Sequence, residues 1–206
     1  MGAVVALDTL LQARTVWRGQ PLALPPSKQP TGYAALDAAL PSGGWPEAAM
    51  SEILLPADGV GELQLLWPAL ARLTQAGERV VLVAPPYVPY APAWQAAGVD
   101  LTHLQVIQAP QLRDALWAAE QCLRSGSCGA VLCWPQLVHE RALRRLQVAA
   151  ESGQTLGLAC RPLQAARNPS PVALRIAIDS HPAQLRVIKC RGGLAPTRPI
   201  PYHAVQ

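Results

Sequence analysis

From residue 31 to the closing hairpin, short apolar runs alternate with stretches whose apolar residues recur at helical spacing. This rhythm constrains the fold more than any other feature of the chain. Met50 to Leu55, Val80 to Ala84, Leu104 to Ile107, Ala130 to Cys133 and Thr155 to Ala159 have the length and apolar content of strands buried on both faces. Between them, Leu63, Leu66, Trp67, Leu70 and Leu73 line one helical face, and Leu112, Ala115, Leu116, Ala119 and Leu123 another. Val138 to Glu151 is a third helix, with Leu143 and Leu146 turned inward. Strands joined by crossover helices specify an α/β fold with a mostly parallel central sheet flanked by helices. The last pair, Val172 to Asp179 and Gln184 to Arg191, turns at Ser180-His181-Pro182 and reads as a closing antiparallel hairpin.

Two segments flank this core, dividing the chain into residues 1–30, 31–193 and 194–206. Val4, Leu7, Leu10 and Leu11 predict a short amphipathic helix, followed by a connector stiffened by Pro21, Pro25, Pro26 and Pro30. Thr31 is placed to cap a short helix running through Leu40. The tail, with Pro196, Pro199 and Pro201, has no periodicity and reads as flexible or partner-bound. With no Phe and six Trp, the core is aliphatic. The five cysteines form no CxxC pair, which points to reduced thiols packed as small apolar residues. No basic leader opens the sequence and no apolar run reaches membrane-spanning length, so a cytoplasmic protein without membrane contact is expected. A net charge of +4 tolerates a nucleic-acid partner without demanding one.

In α/β proteins the turn between a buried strand and a helix is where backbone N–H groups and the helix N-terminus bind phosphate. Here it reads Leu55-Pro56-Ala57-Asp58-Gly59-Val60-Gly61-Glu62-Leu63. A working phosphate loop ends Gly-Lys-Ser/Thr, the lysine pairing with phosphates and the hydroxyl binding magnesium. Glu62 in the lysine's place sets a negative charge against a nucleotide, a repulsion of about 4 kcal/mol at a few ångströms and intermediate dielectric. Leu63 cannot bind metal, and Pro56 stands where the loop's first glycine belongs. A plain strand-to-helix turn, with Glu62 favouring the helix N-terminus, accounts for the same residues.

The surrounding sequence resembles the RecA family. Thr31-Gly32-Tyr33 through Leu40, then Gly43-Gly44-Trp45-Pro46 and Ser51-Glu52-Ile53, look like the entry to its core. Leu82 to Asp100 resembles the segment carrying the catalytic glutamate, which falls on Pro86. Gly129 to Trp134 resembles the strand ending in the magnesium-supporting Asp, whose position is Trp134. The resemblance covers about Thr31 to Gly193 and implies a RecA-like P-loop core. Three requirements of phosphoryl transfer fail together, so a non-catalytic protein is expected, with no cofactor and no metal. Both DNA-contacting loops of the recombinase are shortened, to Pro135-Gln136-Leu137 and to Arg161 to Pro171.

Within the superfamily the chain is similar to the ImuA family and to the related SulA cell-division inhibitors. The first resemblance implies an adaptor in damage-induced translesion synthesis, binding an ImuB-like protein and a specialised DNA polymerase, with RecA and single-stranded DNA as further candidates. The second implies inhibition of division through the tubulin-like division protein. A third reading is modulation of RecA filaments.

Several residues are candidates for partner contact. Arg141, Arg144 and Arg145 share a helical face that suits an acidic partner or a phosphate backbone, although without interleaved aromatics a solvated face is favoured. Arg161 and Arg167 are read in the same way. Arg191, Arg198, Tyr202 and His203 suit folding onto a partner groove, or a frayed terminus. Val4, Leu7 and Leu11 fit docking on a neighbouring core, as the N-terminal helix of RecA does, or on the chain's own sheet.

Overall fold

The structure is a computed structural model describing residues 25–136 and 138–202. The N-terminal stretch with Val4, Leu7, Leu10 and Leu11, together with Leu137 and His203, lies outside the described residues.

In chain order the elements are α1 (Ala34–Ala39), β1 (Met50–Leu55), α2 (Glu62–Gln75), β2 (Val80–Val83), α3 (Ala91–Ala96), β3 (Leu104–Ile107) and α4 (Leu112–Arg124). They continue with β4 (Ala130–Cys133), α5 (Glu140–Gly153), β5 (Leu156–Pro162), β6 (Leu174–Ser180), β7 (Ala183–Cys190) and β8 (Ile200–Pro201). Among the described residues these strands form one eight-stranded sheet in the order β3-β2-β4-β5-β1-β6-β7-β8. The first six run parallel, whereas β7 and β8 pair antiparallel.

Strand alternation explains the two cores. On one face Ile53, Val80, Leu82, Leu132, Leu158 and Ile176 pack with Leu36, Leu66, Leu70 and Trp94 from α1, α2 and α3. On the other, Val81, Val83, Val131 and Ala159 meet Ala119 and Leu123 of α4 and Leu146 and Ala150 of α5. Each fully buried Leu or Ile contributes about 1.5–3 kcal/mol relative to exposure. The buried stripe of α2 runs along Leu65, Leu66, Ala69, Leu70 and Leu73, while Leu63 and Trp67 lie at its margin.

The packing of α4 against α5 leaves no room where their C-terminal ends meet. A Cβ on Gly153 would lie 2.0 Å from the Leu123 carbonyl oxygen. Gly153→Ala is therefore expected to cost about 1–3 kcal/mol through overpacking, read as a lowered thermal midpoint.

Four expectations are corrected. The cap of α1 is Tyr33, not Thr31: Gly32 at φ 90 turns the chain, so Thr31 Oγ1 accepts from the Tyr33 N–H instead of capping the helix. β3 lies at the sheet edge with Gln105 and Val106 exposed, because no further described strand pairs with it. β5 continues to Pro162 beside β1, so Arg161 belongs to the sheet and not to a polar loop. The tail is not free along its length, since Ile200 pairs with Leu185 of β7 and Tyr202 is buried.

Candidate functional site

The turn after β1 is held by its own residues. Gly59 and Gly61 take left-handed φ values of 80 and 103, a conformation that favours glycine, and Gly61 caps α2. Glu62, the first residue of that helix, is 5% exposed, and its Oε1 accepts the Gly59 N–H at 3.0 Å. A carboxylate at a helix N-terminus is favoured by the unpaired N–H groups and the helix dipole. Glu62 therefore supplies, covalently, the kind of anion such a loop otherwise takes from solution. Its second oxygen, Oε2, is buried without a hydrogen-bond partner among the described residues.

The tail closes over this turn. The Tyr202 hydroxyl donates to the Gly61 carbonyl at 2.6 Å, and the same oxygen accepts the Leu65 N–H at 3.2 Å. Tyr202 packs edge-on against Tyr33, with ring centroids 5.5 Å apart, and the Tyr33 hydroxyl donates to the Gln64 carbonyl at 2.9 Å. Burial, reinforced by Tyr33 and by the charge of Glu62, pushes the Tyr202 phenol well above its ordinary value. Beneath the turn, burial raises the Cys160 thiol well above the usual range, and Glu62, Cys133 and Asp58 add to the effect.

Pro86 follows β2 and is exposed, and Trp134 follows β4 and is half-buried. Both stand at the same C-terminal end of the parallel strands as the turn itself, where open α/β sheets place their ligand crevices. The Trp134 indole nitrogen is buried without a described partner. Thus Pro56, Gly59, Gly61, Glu62, Leu63, Pro86 and Trp134 occupy one end of the sheet, and of these seven residues Glu62 alone carries an ionisable side chain.

Sequence reasoning missed a buried ionic cluster beside the turn. Glu52, in the middle of β1, is fully buried and binds two guanidiniums: Arg161 Nη1 of β5 reaches Oε1, and Arg175 Nε of β6 reaches Oε2 at 2.5 Å. Register places all three together, since Glu52 pairs with Ala159 on one side and with Arg175 on the other. The remaining guanidinium donors go to carbonyls. Arg161 binds Pro135 at 3.2 Å and Val138 at 3.4 Å; Arg175 binds Ala165 at 2.7 Å and Asn168 at 3.1 Å. The cluster therefore ties down the two segments that resemble shortened DNA loops. The signal in the sequence is one charged residue, Glu52, in a mostly apolar strand, with an Arg in each flanking strand.

The partner candidates fare unevenly. Arg161 is inside the protein, which removes it from any DNA surface, and Tyr202 is in the core and unavailable to a partner. Arg141, Arg144 and Arg145 are exposed on α5, but Arg144 pairs with Glu140 and Arg145 with Glu120. Arg198 is exposed. No described helix is long and apolar enough to cross a membrane.

Fold and site together define a class: a RecA-like α/β protein whose phosphate-loop turn is filled by its own glutamate. The chain belongs to the SulA family, because the family model described as "Cell division inhibitor SulA" matches residues 48–157, just over half its length. A curated SulA from Edwardsiella piscicida is 31% identical over 99 residues, 48% of this chain and 58% of the relative. RecA of Streptomyces ambofaciens is 31% identical over 103 residues, 50% of this chain and 27% of RecA. The chain thus spans little more than half of one curated relative and about a quarter of the other. The crystal structure of SulA from Pseudomonas aeruginosa overlaps with a TM-score of 0.48 at 30% identity, covering 57% of this chain and 99% of that one. These matches name SulA and RecA, and they leave the ImuA resemblance as a proposal.

Proposed function

We propose that this chain is a non-catalytic RecA-like protein of the SOS response that acts by binding other proteins. The observation that carries this reading is the Glu62 carboxylate accepting the Gly59 N–H inside the turn. A bound triphosphate would have to displace a covalently attached anion and then face its charge in a buried position. Pro86 and Trp134 offer no group to activate water or support magnesium.

Family membership supports inhibition of cell division as the leading activity, through contact with the tubulin-like division protein. A second reading is an adaptor in translesion synthesis that joins an ImuB-like protein and a specialised DNA polymerase, with RecA as a further partner. It is favoured by the part of the chain beyond the SulA match, where β6 and β7 complete the strand order resembling the recombinase core.

Titration calorimetry with Mg-ATP is expected to give no binding heat, and micromolar binding overturns the non-catalytic reading. Glu62→Lys, which restores the lysine, is expected to yield weak nucleotide binding without hydrolysis. Expression in undamaged cells separates the two activities. Filamentation supports division inhibition, whereas loss of damage-induced mutagenesis on deletion, without filamentation on expression, supports the adaptor.

A further inference from the structure

The helices α4 and α5 leave between them an open groove that the packing of the sheet does not explain. Two adjoining hollows of about 440 and 500 Å³ share Leu112, Leu116, Ala142 and Arg145 as lining. Their floor is apolar, yet Leu112 is 44% exposed and Trp117, at the rim, 62%. Large apolar side chains grouped in the open mark an interaction site more often than those scattered singly. Arginine and tryptophan are also the side chains that most often anchor protein interfaces.

The rim is cationic. Arg113 on α4 and Arg141 and Arg145 on α5 border the two hollows, and the carboxylate among the lining residues, Glu120, is buried and already bridges Arg124 and Arg145. Arg113 and Arg141 stay exposed at the two sides of the apolar floor. Asp114 and Glu140, in the first turns of these helices, do not line the hollows, and Glu140 pairs with Arg144. From these residues we infer that the groove docks an acidic amphipathic helix of a protein partner, its aliphatic stripe on Leu112, Leu116 and Trp117 and its carboxylates on Arg113 and Arg141. This is the helix-in-groove mode of recognition, and it rests on the reading that the protein works through protein contacts.

Charge complementarity chooses among occupants. Residues 1–24 contain Asp8 against Arg14 and Arg18, a net positive stretch that a cationic rim repels. Single-stranded nucleic acid needs a charged track with exposed stacking faces, whereas this floor is aliphatic with one indole at its edge.

The test uses the full chain and a fluorescein-labelled synthetic peptide of about four helical turns, with Leu at i, i+3, i+4 and i+7 and Asp or Glu flanking that stripe. Fluorescence anisotropy is expected to report saturable binding that weakens with added salt, and Trp117→Ala and Arg141→Glu are each expected to weaken it by about tenfold. Both side chains are exposed, and an unchanged circular dichroism spectrum confirms that the variants fold.

Absence of binding, or binding indifferent to both substitutions, overturns the proposal. Tighter binding of labelled oligothymidine than of the peptide, with the same sensitivity, assigns the groove to nucleic acid and overturns it too. Dimerisation abolished by Trp117→Ala gives the groove to a second copy, and tighter peptide binding after removal of residues 1–24 gives it to that segment; each result overturns the proposal. In cells, a Trp117→Ala, Arg141→Glu double variant that keeps wild-type activity overturns the groove and leaves the proposed function standing. A wild-type chain that causes neither phenotype overturns the function while the peptide titration still judges the groove.

Discussion

Glu52→Ala is expected to lower the urea midpoint sharply. The change leaves Arg161 and Arg175, 3% and 4% exposed, facing each other in the sheet without their carboxylate. Breaking a buried ion pair from one side costs about 3–5 kcal/mol, because an uncompensated charge stays behind. A domain of this size is stable by about 5–15 kcal/mol, so one substitution removes a large share of that margin. The companion experiment decides the cause. If desolvated charge is responsible, replacing all three residues with apolar side chains of similar volume recovers most of the loss, and the single effects do not add. A triple variant no more stable than Glu52→Ala would show that the guanidinium bonds to Pro135, Ala165 and Asn168 carry the stabilisation instead.

Tyr202→Ala is the second large effect. Removing a fully buried aromatic ring costs about 3–5 kcal/mol, and this ring also fastens the tail to the turn after β1. Tyr202→Phe isolates the hydroxyl and is expected to cost about 1 kcal/mol, the net worth of one hydrogen bond. The phenol adds a pH dependence whose sign follows from its raised pKa. As pH climbs past the ordinary phenol value of about 10, the unfolded chain releases a proton that the folded chain retains, so stability falls. Below that value the contribution is fully present. Urea unfolding across the alkaline range should therefore show a decline in the wild type that is smaller in Tyr202→Phe. Equal slopes would mean that the phenol is not held as the structure places it.

The sheet was legible because its strands are short and mostly apolar. Met50–Leu55 and Ala130–Cys133 begin and end where the sequence places them, and Leu143 and Leu146 of α5 point inward, whereas the α4 stripe is buried only towards its C-terminal end, at Ala119 and Leu123, and leaves Leu112 exposed. What failed depends on distant partners. Arg161 read as loop because Pro162 follows it, yet pairing with Leu54 extends β5 to that point. The tail reads as flexible or partner-bound because Pro199 and Pro201 suppress periodicity, and a two-residue strand has none to show. Tyr202 meets Gly61 across 141 positions, a contact that no local pattern encodes.

The candidate site divides along the same line. The residues missing from the phosphate loop were visible one by one, but the Glu62 contact with Gly59, which turns an absence into an occupied turn, needed the folded loop. Trp117 escaped notice as a companion to Arg141 and Arg145 because the aromatic and the cations lie on different helices. The arginines were discounted for lacking an aromatic neighbour, which packing supplies.

The ionic cluster bears on how this protein should be cut into pieces. The match to the SulA family model ends at residue 157, inside β5, before both arginines that neutralise Glu52. A fragment excised at that border would keep the carboxylate and discard its two counterions, exposing a lone acid along a torn sheet edge. The shortest self-sufficient piece must reach at least through the hairpin.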